Sequence, residues 1–162
     1  MKGNNTPIYL VVFCMAMFAV LTQACTGYSD GPNLSLRSTA KKIGRTWRVK
    51  QAVKNNVEVT ETYKSGFFSF TEEGAFTTVD TKRDIIIPPY TQPQAISVLG
   101  DGSWQTLSNT KLELLYTYTF SDPYNPNVRY SDEAYEQWDI LRLTEGEFWI
   151  KNDSMSFKLI AQ

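Results

Sequence analysis

Residues 111–120 read KLELLYTYTF, with Leu112, Leu114, Tyr116, Tyr118 and Phe120 on one phase and Lys111, Glu113, Thr117 and Thr119 on the other. Successive side chains leave a strand on opposite sides, so this period of two predicts a half-buried strand. The same period governs most of the chain after Gly44. Trp47, Val49, Gln51 and Val53 alternate with Thr46, Arg48, Lys50 and Ala52, and Asn55-Asn56 supplies a turn. Val57, Val59 and Tyr63 share a phase, and Ser65-Gly66 permits a break or bulge. Phe68 and Phe70 lead into TEEG, and Phe76 and Thr78 leave it, which predicts a hairpin with Gly74 at its turn.

Pro88, Pro89 and Pro93 make PPYTQPQ a loop or edge, and residues 94–99 a short strand ended by Gly100-Asp101-Gly102. SDPYNPNVRYSDE is a polar loop. Residues 135–144, 148–151 and 155–160 are three more strands joined by the turn sequences TEGE and KNDS. No segment carries a helical period. These elements predict an all-β antiparallel meander of about eight strands. Left open, such a sheet exposes long edges and an apolar face; closing it into an up-and-down barrel removes both. A two-layer β-sandwich is the alternative.

The N-terminus follows other rules. Residues 8–21 (IYLVVFCMAMFAVL) are an apolar run preceded by Lys2 and followed by TQAC. The run is shorter than the roughly 20 residues of a membrane-spanning helix and matches a secretory signal over residues 1–24. Cys14 lies within that signal, so cleavage leaves Cys25 as the single cysteine, with no internal disulfide partner. Leu21-Thr22-Gln23-Ala24-Cys25 resembles a bacterial lipobox, in which such a cysteine takes a lipid; ordinary signal cleavage after Ala24 is the alternative. Residues 25–42 then form a lipidated cysteine and flexible tether, rich in Gly, Pro and Ser. Residues 43–162 form the folded domain.

Composition narrows the function. Net charge is −1 with scattered basic residues, which excludes a nucleic-acid footprint. The chain has no histidine, which removes the commonest general base and zinc ligand. No cofactor motif or metal site is expected. Asp122, Asn125, Asn127, Asp132 and Glu133 lack calcium-loop spacing and are explained as turn residues. Glu145 and Glu147 flank a hairpin turn and are read as solvated. An enzyme is not expected.

Four stretches in order, IGRTWRVKQA, FFSFTEEGAFTT, GSWQTLSNTKLEL and WDILRLTEGEFWIKND followed by MSFKL, resemble the lipocalin-like domains of Bacteroidetes-type lipoproteins. The resemblance spans residues 43–159. It implies an antiparallel barrel with an apolar interior, held in the bacterial envelope as an outer-membrane lipoprotein. It also implies an arginine packed on Trp47, with Arg142 as the candidate by strand position. Gly44 and Trp47 are separated by two residues, where lipocalins have Gly-x-Trp.

The expected inward set is Trp47, Val49, Phe68, Phe70, Phe76, Leu112, Leu114, Tyr116, Tyr118, Leu141, Leu143, Phe148, Ile150 and Phe157. Most of these are core. Trp47, Phe70, Leu114, Tyr116 and Tyr118 are the ligand-binding candidates, with the tyrosine hydroxyls orienting a small apolar molecule. Trp138, Ile140 and Trp149 fall on the opposite phase, leaving one hairpin apolar on both sides, covered by tether or loop or exposed to a partner or membrane. Two readings compete: a lipid-anchored carrier of a small apolar ligand, and an envelope protein–protein interaction module with a filled barrel.

Cys25→Ser is expected to release the protein from the membrane fraction, because stable anchoring needs acyl chains. Retention of the serine variant in membranes with its signal uncut would refute the lipoprotein reading.

Overall fold

The computed structural model describes residues 38–88 and 91–162. The expected signal, Cys25 and most of the expected tether lie outside these residues, as do Pro89 and Tyr90. Nine strands follow in chain order: β1 (Thr46–Lys54), β2 (Val57–Glu58), β3 (Phe67–Phe70), β4 (Ala75–Ile85), β5 (Gln94–Ser108), β6 (Lys111–Ser121), β7 (Arg129–Leu143), β8 (Glu147–Lys151) and β9 (Met155–Ala161). Two short helices accompany them, α1 (Thr39–Ile43) and α2 (Thr60–Tyr63).

Every strand from β3 onward pairs antiparallel with its successor, and β1 pairs with both β3 and β9. The result is a closed eight-stranded up-and-down barrel; β2 is a two-residue appendage on β1. At one end lie α1 and the short turns after β3, β5 and β7. Ser38 caps α1 by accepting a hydrogen bond from the Lys41 amide, and Ile43 is fully buried under the barrel floor. The other end carries α2, the long β4–β5 connection, the β6–β7 loop and the β8–β9 turn.

The alternation of residues 111–120 is borne out: β6 buries every second residue. So is the hairpin at Gly74, whose φ of +96° needs glycine. Several expectations are corrected. Val57, Val59 and Tyr63 do not continue one strand; the chain breaks into β2 and the single turn α2, which buries Tyr63. Residues 39–42, read as tether, form most of α1, whose Lys42 is buried with Ile43. Five and four residues are too few to display a helical period. The strand ended by Gly100-Asp101-Gly102 instead runs through both glycines to Ser108. The loop SDPYNPNVRYSDE is shorter than expected, since β6 extends to Ser121 and β7 starts at Arg129.

The two glycines have a packing role. A Cβ on Gly100 would sit 2.9 Å from the Tyr116 ring, and one on Gly102 would sit 2.2 Å from the Leu115 carbonyl oxygen. Strands β5 and β6 therefore approach closely here, with Tyr116 laid across the gap. Four ladders carry register shifts, between Val49 and Gln51, Val79 and Thr81, Thr106 and Ser108, and Ile140 and Arg142. Each extra residue exchanges the inward and outward phases beyond it.

That exchange corrects the β7–β8 hairpin. Trp138 and Ile140 are inward and buried, and beyond the bulge Leu143 takes the inward place, while Leu141 is only partly buried. The hairpin is thus not apolar on both sides; one face changes phase. Trp149 alone stays outside, where Arg142 and Lys158 lie 5.2 Å and 4.6 Å from its ring. Arg142 therefore does not pack on Trp47. Arg45 does, at 5.7 Å.

Gly102→Ala is expected to destabilise the barrel by about 1–3 kcal/mol, the cost of an overpacked site. Gly146→Ala, where an added Cβ meets nothing within 4 Å, is expected to stay within about 0.5 kcal/mol of the parent. Denaturant unfolding of both variants checks the contrast; equal stability would mean that β5 and β6 are not in close approach.

Candidate functional site

The interior divides into two halves of different chemistry. The half nearest α1 is filled by rings. Trp47 packs on Phe148 at 5.3 Å between centroids, and Phe70 contacts Phe76, Trp104 and Phe148 at 5.1–6.0 Å. Their indole donors are satisfied: Trp47 Nε1 donates to the Ile43 carbonyl and Trp104 Nε1 to the Thr71 carbonyl, each at 2.9 Å. Leu112, Leu114, Leu143 and Leu159 fill the remainder and are fully or almost fully buried. Trp47, Phe70 and Leu114 thus lie in packed core and do not line the cleft described below.

Toward the other end the interior becomes polar because of the bulge in β4. Asp80 takes φ +51°, a left-handed conformation that Asp tolerates better than most residues. Ser97 Oγ donates to Asp80 Oδ1 at 2.6 Å, and Lys82 Nζ approaches the same oxygen at 3.5 Å. Hydrogen bonds from Ser65 and Ser97 hold the Asp80 carboxyl below its usual range. Before the bulge Phe76 and Thr78 point inward; after it Thr81 and Arg83 do. Thr78 Oγ1 donates to Thr81 Oγ1 at 2.8 Å across the irregularity. An uninterrupted strand would turn Lys82 inward instead.

Arg83 points inward from β4 and reaches side chains of β6 and β7. Its Nη1 donates to the Tyr116 hydroxyl at 2.6 Å and to Glu136 Oε1 at 2.5 Å. The Tyr116 hydroxyl donates in turn to Glu136 Oε1 at 3.0 Å, and Trp138 Nε1 donates to Glu136 Oε2 at 3.0 Å. The guanidinium lies over the Tyr118 ring at 4.5 Å, and the Tyr118 hydroxyl donates to Asp132 Oδ2 at 3.2 Å. Arg83 and Glu136 side chains are 28% and 21% exposed, so the pair sits near the mouth and not in the sealed core.

This cluster borders a cleft of about 250 Å³ at the open end. Phe68, Trp138, Met155 and Phe157 supply apolar surface, Tyr63 of α2 one wall, and Arg83, Glu136, Lys54, Lys82 and Asp84 the charged groups. Lys54 and Asp84 pair across the mouth. Burial opposes the Arg83 charge, but Tyr116 and Glu136 outweigh it, and the pKa of the guanidinium is raised. Burial first, then the Glu136 charge, pushes the Tyr116 phenol far above its ordinary value, with Arg83 opposing. Tyr118 and Tyr63 are also raised, chiefly by burial.

Of the five expected ligand residues, then, only Tyr116 lines the cleft, and Tyr118 stands behind it under Arg83. The premise that their hydroxyls wait for a ligand is corrected, because Arg83, Glu136 and Asp132 satisfy them. Arg83, Glu136 and Trp138 were missed as a site; the signal available was an Asp inside the strand sequence TTVDTKRD, since Asp favours positive φ at a bulge. Other acidic residues have local roles. Asp122 Oδ1 accepts from the Tyr124 and Asn125 amides at 2.8 and 3.2 Å. Glu145 pairs with Arg45 and Glu147 with Arg142, both at 2.9 Å. Among the described residues no group of three or more Asp, Glu or Cys is placed to hold a metal.

No protein-family model, no curated protein and no solved structure matches this chain. What the geometry defines is an eight-stranded antiparallel barrel, packed at one end, with an amphipathic cleft at the other.

The raised tyrosines make stability fall in alkali. Their contribution is fully present below the unfolded-chain value of about 10, and is lost as pH rises from there toward the higher folded values, because the unfolded chain releases its phenol protons first. Tyr116→Phe is expected to make the decline shallower. Denaturant midpoints across the alkaline range, read beside phenolate absorbance, check this; the same slope in parent and variant would contradict a buried, paired Tyr116.

Proposed function

We propose that this protein is a lipid-anchored component of a bacterial cell envelope whose barrel binds a small amphipathic molecule at its open end. One observation carries the binding reading: aromatic rings and a partly exposed guanidinium face the same cleft. A ligand that is apolar at one end and polar at the other complements both surfaces. The sequence supports a purely apolar ligand, but the Arg83–Glu136 pair favours one with a polar group. The reading is one of binding, without a reaction.

The anchor rests on the signal-like run, the lipobox-like residues before Cys25 and the resemblance to lipocalin-like lipoproteins. The N-terminal side of the described chain enters at the packed end, where Thr39 Oγ1 lies 3.5 Å from Asn109 Oδ1 of the β5–β6 turn. The cleft lies at the other end of the barrel. A second reading, an interaction module, is favoured by the outer face of β6 and β7. Leu115 and Tyr135 stand directly opposite each other there, 56% and 60% exposed.

Trp138 lines the cleft, whereas Trp47 and Trp104 are core and Trp149 is on the outside. Titration with small amphiphiles is expected to shift tryptophan emission, and Trp138→Phe to remove the shift. Native mass spectrometry should show the bound mass. No shift and no bound mass would leave the interaction module as the better reading.

A further inference from the structure

We propose that the cleft selects molecules with an anionic head, received by the open edge of the Arg83 guanidinium; this rests on the reading of the barrel as a small-molecule carrier. Most of the acceptor capacity of the cluster is used within it. Glu136 Oε1 accepts from Arg83 and Tyr116, and Oε2 from Trp138. The Tyr116 hydroxyl both accepts and donates, and that of Tyr118 donates to Asp132. Arg83 makes both of its bonds through Nη1. A guanidinium carries five N–H groups, so those on Nη2 and Nε remain. Apart from an interaction with the Tyr118 hydroxyl, the guanidinium makes no further hydrogen bond to the described residues, and neither Nη2 nor Nε is buried without a partner.

The cleft lining holds three cations, Lys54, Lys82 and Arg83, and each lies beside a carboxylate, Asp84, Asp80 and Glu136 respectively, so the selection rests on the Arg83 donors and not on net charge. Two planar N–H groups on a guanidinium match the two oxygens of a carboxylate, and the Arg83 guanidinium is positioned by the Tyr118 ring, 4.5 Å from its centroid. Phe68, Trp138 and Phe157 then take the apolar tail. A space of about 250 Å³ lies below the roughly 300–1,000 Å³ typical of drug-sized ligands. A short chain fits it; a long one would project from the mouth.

The test is a titration of the full chain with three probes of equal tail length: octanoate, octanol and octylammonium. Octanoate is expected to bind about tenfold tighter than octanol, the worth of one charged hydrogen bond, and octylammonium weakest. The double variant Arg83→Met/Glu136→Gln removes both charges together, so neither is left unpaired. Its preference for octanoate over octanol should disappear. Glu136→Gln alone removes the competing carboxylate and should tighten octanoate several-fold. Equal binding of octanoate and octanol to the parent would overturn the anionic head and leave the carrier reading standing. Binding of none of the three would overturn the carrier reading itself.

Discussion

The pairing of β1 with β9, from Trp47 opposite Ala161 to Lys54 opposite Met155, is the constraint on which the rest of the molecule depends. It turns a sheet with two long edges into a closed surface and fixes the strand number at eight. With eight strands the interior is just wide enough to be filled by side chains or to hold one small ligand. Whether there is room for anything else is then decided residue by residue along the axis. Near α1 there is none: Trp47, Phe70, Phe76 and Phe148 interlock and Ile43 seals the floor. Near the mouth the filling residues are longer, charged and less completely enclosed.

That division follows from desolvation. An ion pair in the ring-filled half would lose its hydration with little to replace it, and its mutual attraction would barely repay the loss. Arg83 and Glu136 keep about a quarter of their side-chain surface in contact with solvent, and Tyr116 and Trp138 add neutral donors to the carboxylate. The glycines of β5 belong to the same arrangement. Tyr116 can lie across the strand gap with its hydroxyl at the pair because Gly100 and Gly102 present no Cβ to meet it.

The barrel was legible in the sequence because alternation survives wherever a strand is regular, as in β6 and around the Gly74 hairpin. The site was not, because it depends on where alternation breaks. Counting by twos from Phe76 assigns Lys82 to the interior and Arg83 to solvent; one added residue at Asp80 reverses them. Counting from Leu143 back to Leu141 likewise turns Trp138 and Ile140 outward, and the irregularity between Ile140 and Arg142 restores them. Glycine pairs misled in a different way. Gly100 and Gly102 read as a strand end by local preference, yet their value is the close approach of a neighbouring strand, a tertiary fact with no local mark. Tyr116 was selected for its buried hydroxyl, a sound reason, but the partner proved to be a cation two strands away along the sheet.

Why the chain keeps the bulge is a question of cost against yield. A left-handed non-glycine residue and an interrupted ladder are both unfavourable, and the bonds from Ser97 and Lys82 to Asp80 offset only part of this. The bulge yields an arginine inside the barrel, and that arginine brings an ion pair whose attraction is offset in part by the cost of removing both charges from water. A left-handed residue of this kind persists only where its surroundings hold it. Here its consequence is the position of Arg83, which lines the cleft beside Glu136 with its side chain 28% exposed.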